Sequence, residues 1–131
     1  MLGLAIIVRA VAGHGAGALV ADILPAGDGL VALLGVAAIA AVAANLLNNV
    51  PAVLVLLPAA AAAGPSTVLA VLIGVNVGPN LTPTGSLATL LWRRSLAERD
   101  AELPVGEFVR LGALTVPPAI VLATVALWLV V

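Results

Sequence analysis

The chain has 131 residues, of which 63% are hydrophobic and 8% charged, with a net charge of −1 and no cysteine. Soluble domains carry about 25% charged residues, so this composition excludes a chain that covers itself in water. The missing cysteine excludes disulfides and thiolate metal sites within these residues, and no basic patch points to nucleic acid.

The charges are also clumped. Between Gly29 and Trp92 there is no Asp, Glu, Lys, Arg or His, a stretch far longer than the roughly 20 apolar residues that cross a bilayer. The expected fold is all-α and integral to the membrane, one membrane domain over 1–131.

In chain order, Leu2 to Leu24 reads as one span (1–24), with Gly13, Gly15 and Gly17 in its middle, and the polar turn "PAGDG" (25–29) ends it. Arg9 lies within this span. A charge there costs about 2.5–3.5 kcal/mol near a helix centre, so it must face a cavity, find a carboxylate or snorkel. His14 reads as an interior structural histidine, and Asp22 and Asp28 as solvated groups flanking the turn.

Leu30 to Ala44 is the next apolar run and stops at "NLLNNVP" (45–51); Ala52 to Ala63 follows, closed by "GPS" (64–66). Neither run comfortably crosses a core about 30 Å thick. One reading is a single long helix kinked at Pro51. The other, preferred, is a re-entrant hairpin over 30–63 with its tip at 45–51. Asn45, Asn48 and Asn49 suit that tip, because backbone leaving a helix inside a membrane must be satisfied by protein or water.

The pattern then repeats. Thr67 to Val77 is a short run, "GPNLTPTGS" (78–86) breaks it, and Leu87 to Leu96 resumes it up to Arg93 and Arg94. Two half-helices joined by unwound backbone form a discontinuous membrane helix, here 67–96. Pro79 and Pro83 each remove an N–H and disfavour helix before them. Arg93, Arg94 and Arg99 place the polar loop (97–107) on the cytoplasmic side by the positive-inside rule. Phe108 to Val131 is the last span, kinked at Pro117 and Pro118, with Trp128 near its far interface.

"NNVP" (48–51) followed by "GPNLTPTGSLATLLW" (78–92) closely resembles the C-terminal part of the arsenical pump membrane proteins, the bacterial arsenite efflux permeases of the ion-transporter superfamily. "VRAVAGHG" (8–15) extends the likeness toward the N-terminus. The resemblance implies a multi-pass protein of the cytoplasmic (inner) membrane built from two inverted repeats. This chain would supply the hairpin, broken helix and flanking spans of the C-terminal repeat. Family members are longer, so the rest of the permease, or a second copy of this chain, is an implied partner, and an arsenite-stimulated ATPase is another partner class. No cofactor is implied, and coupling to protons or sodium is the expected energy source. The alternatives within the superfamily are sodium/proton exchange and dicarboxylate transport; outside it stands a truncated, non-transporting fragment. Some family members carry an acidic residue at the position of Asn76 and a lysine at that of Asn80. Both are asparagine here.

The resemblance and the breaks converge on one set of candidate substrate-binding residues: Asn45, Asn48, Asn49, Asn76, Asn80, Thr82, Thr84, Gly85 and Ser86. Their carboxamides and hydroxyls donate and accept hydrogen bonds without fixed charge, which suits a small, neutral, hydroxyl-rich solute such as arsenous acid or its antimony analogue. The bland alternative is that Asn and Thr in membrane helices bond neighbouring helices or their own backbone. Enzyme readings fail on inventory. The single histidine has no carboxylate close in sequence, and "GSLATLL" lacks the second glycine of a nucleophile elbow.

Overall fold

The computed structural model describes residues 17–99, 101 and 104–131, and every described element is helical. Most of the predicted first span, with Arg9, Gly13 and His14, lies outside the described residues. In chain order the helices are α1 (Gly17–Ile23), α2 (Leu30–Leu47), α3 (Asn49–Ala63), α4 (Pro65–Val77), α5 (Leu87–Ala97) and α6 (Val105–Val130). A 3-10 turn, Gly78–Leu81, follows α4 directly.

Two of these helices, α2 and α6, are long and apolar enough to cross a membrane. At 1.5 Å per residue they extend about 27 and 39 Å. The others are too short for that by themselves.

The first chain break is smaller than the sequence predicts. Asn45, Leu46 and Leu47 continue α2, and Asn48 alone leaves helical geometry, at φ 79° and ψ 156°. Those angles belong to a region that is essentially glycine-only and costs a side-chain-bearing residue about 1–3 kcal/mol. Pro51 causes no kink. It is the third residue of α3, where its missing N–H has no intrahelical partner to lose.

Gly74 abuts Ala37 and Ala40, and Gly78 abuts Ala41, so α4 runs parallel to α2. Asn49 and Val50 face Val75 and Asn76 across one cleft, with Val53 and Leu72 further along, so α3 runs antiparallel to α4. It follows that α2 and α3 fold back on each other through one residue. The core lies among these three helices, on Leu33, Val36, Ala40, Ala44, Ala52, Leu56, Ala60, Val71 and Val75. Its alanines, with buried Gly74 and Gly78 beside them, let the backbones of α2 and α4 approach closely.

The last helix packs across α2 and α4 through Val116 and Ile120, which meet Ala37 and Ala41. It begins at Val105, three residues before the predicted start, because Pro104 occupies the N-cap and Glu107 sits favourably in the first turn. No residue of α5 is buried, and Leu87, Leu90, Leu91 and Trp92 are all exposed.

A Cβ on Gly74 collides with the backbone of α2. Gly74→Val is therefore expected to destabilise the fold by about 1–3 kcal/mol, the usual range for overpacking. Gly106→Ala, which meets nothing within 4 Å, leaves stability unchanged or raised. Thermal unfolding of both variants in detergent micelles checks the contrast.

Candidate functional site

One side chain fastens the end of α2 to the second break. Asn45, in the last turn of α2, donates from Nδ2 to the carbonyls of Ala41 and Gly78, both at 2.8 Å. Its Oδ1 accepts the Thr82 hydroxyl at 2.7 Å. Gly85 completes the knot. Its amide donates to the Thr82 carbonyl at 3.2 Å, and a Cβ there would lie 2.5 Å from the Pro79 carbonyl and 2.9 Å from Asn45 Oδ1. On the far side, α6 presents Gly112, where a Cβ would stand 2.5 Å from the Asn80 carbonyl. Only glycine lets a helix approach unwound backbone this closely.

Ser86 is a helix cap. It is buried at the N-terminus of α5, and its Oγ accepts the Thr89 amide at 3.1 Å and lies 2.9 Å from Thr89 Oγ1. An N-cap serine satisfies one of the four orphan amides of a helix start. The Leu90 amide reaches the Ser86 carbonyl, which leaves the amides of Leu87 and Ala88 without helical acceptors.

At the opposite end of the break two carbonyls accept from side-chain amides: Val77, the last of α4, from Asn80 Nδ2 at 3.1 Å, and Gly78, the first of the 3-10 turn, from Asn45. The negative end of the α4 dipole is thus partly satisfied, while the Leu87 and Ala88 amides at the positive end of α5 keep free donors.

The nine sequence-selected residues do not form one ring. Asn45, Thr82 and Gly85 build the knot, and their polar groups face each other. Asn49 and Asn76 share a cleft of about 290 Å³ with Val50, Val53, Leu72 and Val75. Asn80 faces a separate cleft of about 340 Å³ with Ala88, Thr89, Trp92 and Phe108. Thr84 is exposed at the turn.

Each exposed carboxamide also has one arm bound locally. Asn49 Oδ1 accepts the Val50 amide at 2.9 Å, and Asn76 Nδ2 donates to the Leu72 carbonyl at 2.7 Å. The Asn76 and Asn80 oxygens and the Asn49 amide nitrogen make no hydrogen bond among the described residues. Asn48 Oδ1 is buried with no hydrogen-bond partner among the described residues. An apolar cavity of about 570 Å³ lies between α2 and α6, with the Asn45–Thr82 bond at one end and Leu34, Val42 and Val121 along it. Its lining has too few polar groups for a hydroxyl-rich solute.

Sequence reasoning missed Gly112, Thr89 and the tilted Trp92–Phe108 pair, whose ring centroids are 6.3 Å apart. Only Gly112 left a signal, as an isolated glycine inside an apolar span.

Removing the Asn45 carboxamide leaves the Gly78 carbonyl and the Thr82 hydroxyl without partners. Asn45→Ala should cost about 1–3 kcal/mol and speed hydrogen exchange across 78–86 well before α2 itself opens. By contrast, Asn48→Gly removes the backbone strain and should stabilise the fold by about 1 kcal/mol, read as a rise in unfolding temperature.

The family model described as arsenical pump membrane protein matches residues 1–131. The arsenical pump membrane protein of Escherichia coli (strain K12) is 34% identical over 102 residues, covering 73% of this chain and 24% of that protein. That of Shigella flexneri aligns with the same figures, and that of Yersinia enterocolitica is 33% identical over 104 residues, covering 75% and 24%. The matched segment thus spans about a quarter of the length of these relatives. No solved structure matches the chain. By its whole-length match, the chain belongs to the arsenical pump membrane protein family.

Proposed function

We propose that this chain forms part of the translocation unit of a pump that exports arsenite, and its antimony analogue, across the cytoplasmic membrane. The carrying observation is the asymmetry of the break. Its Val77 and Gly78 carbonyls are bound by Asn80 and Asn45, the Leu87 and Ala88 amides of α5 are free, and no ionisable side chain lies between Gly29 and Trp92. Free amides at the start of α5 and the unpaired Asn80 oxygen in the adjoining cleft suit a neutral molecule that both donates and accepts hydrogen bonds, with Asn76 in a separate cleft along the same path. Arsenous acid is such a molecule. A dicarboxylate would require cationic partners that 30–91 lacks.

In this reading α2 and α3 are a re-entrant hairpin, and α4, the 3-10 turn and α5 are a discontinuous helix. The short lengths of α3, α4 and α5 support it, as does the side-chain satisfaction of backbone at both breaks. Asn45, Thr82, Gly85 and Ser86 act as positioning groups. Asn49, Asn76, Asn80 and Thr84 are the residues that touch solute. The Trp92–Phe108 cleft leads from the arginine-bearing loop to Asn80 and serves as the cytoplasmic approach. Export is driven by the proton motive force, and the titrating group lies outside 30–91.

The test uses arsenite-sensitive cells expressing the pump polypeptide that carries this segment. Asn49→Leu and Thr84→Leu are each expected to abolish arsenite resistance while membrane levels of the protein stay unchanged. Full resistance in both variants would remove these residues from the solute path.

A further inference from the structure

The cleft beside the second break is polar at some positions and aromatic at others. Asn80 borders it from the 3-10 turn, Ala88, Thr89 and Trp92 from α5, and Phe108 from the start of α6. Ala88 and Thr89 lie four and three residues before Trp92, so one face of α5 supplies all three. The volume of about 340 Å³ is that of a small-molecule site. Arg93 follows Trp92 and Glu107 precedes Phe108, so the cleft opens at the level of the charged loop and hence to water.

Two oxygens in it can accept hydrogen bonds. Asn80 Oδ1 makes none among the described residues, since only its Nδ2 is engaged, by the Val77 carbonyl. Thr89 Oγ1 lies 2.9 Å from Ser86 Oγ, and whichever hydroxyl donates there, Thr89 keeps a lone pair. The rings of Trp92 and Phe108, with centroids 6.3 Å apart, supply carbon surface beside these acceptors.

We propose that Trp92 and Phe108 are the discriminating wall of a solute subsite in this cleft, suited to a neutral, pyramidal, trihydroxy solute. The proposal rests on the reading of the break as an arsenite path and adds Thr89, Trp92 and Phe108 to the residues that touch solute. Arsenous acid carries three hydroxyls on one side of arsenic and a lone pair on the other. The hydroxyl side donates to Asn80 Oδ1 and Thr89 Oγ1, and the bare side rests on the rings. A tetrahedral oxyanion such as arsenate has oxygen on every side. Against the same wall it loses water from charged oxygen and meets ring carbon in return, with ring faces that are themselves negative.

The test is arsenite uptake, over a range of concentrations, by everted vesicles carrying the pump polypeptide that contains this segment. Trp92→Ala should raise KM about five- to tenfold, the scale of one aromatic contact, with Vmax unchanged, the pattern of lost binding. Trp92→Phe, which keeps a ring, should stay near the parent KM. Phe108→Leu should raise KM by a similar factor, and it carries the test alone if Trp92→Ala does not reach the membrane. Thr89→Val should raise KM and Thr89→Ser restore it. An unchanged KM in Trp92→Ala and Phe108→Leu overturns the subsite, whatever happens to Vmax. So does an equal rise in KM for Trp92→Phe and Trp92→Ala. Absence of arsenite uptake by the parent polypeptide sinks the transport reading beneath it, a separate failure from unchanged KM in a pump that works.

Discussion

Backbone polar groups that leave a helix must still find partners, and Asn45 supplies them where α2 meets the second break. One carboxamide holds the end of α2, the end of α4 and the first hydroxyl of the extended turn. Charge would do the same work at a far higher desolvation cost. A shorter hydroxyl side chain could not bridge two helices and a loop at once. The glycines around it follow from this bond: Gly78 and Gly85 leave room for backbone to close on the carboxamide, and Gly112 lets α6 rest against the unwound strand.

The bond has a consequence for chemistry. Side-chain amides bind the Val77 and Gly78 carbonyls, while the positive end of α5 is capped on one amide only, by Ser86. No charged side chain stands between residues 30 and 91 to balance an ion there.

Much of the helical class is legible in composition, since a charge-free stretch from 30 to 91 has no other solvent than lipid and its own helices. Local breakers also speak locally: Pro79 and Pro83 lack the N–H of a regular helix wherever they stand. The extent of the first break is not local. Asn45 is helical because its side chain finds Gly78, 33 residues away, a partner that no window around 45–51 contains. For the same reason Asn48 alone carries the turn. The clustering of polar residues was plain in the sequence, but the division of Asn49 with Asn76 from Asn80 depends on the α3–α4 and α5–α6 clefts. Pairing across helices decides which carboxamide faces which wall.

The most direct measurement is transport by everted membrane vesicles of cells expressing the pump polypeptide that contains this segment, offered arsenite and arsenate in parallel. The account predicts accumulation of arsenite alone, declining as pH is raised far enough to ionise it. Equal accumulation of arsenate, or faster accumulation of arsenite as it ionises, would contradict a neutral-solute site at the break.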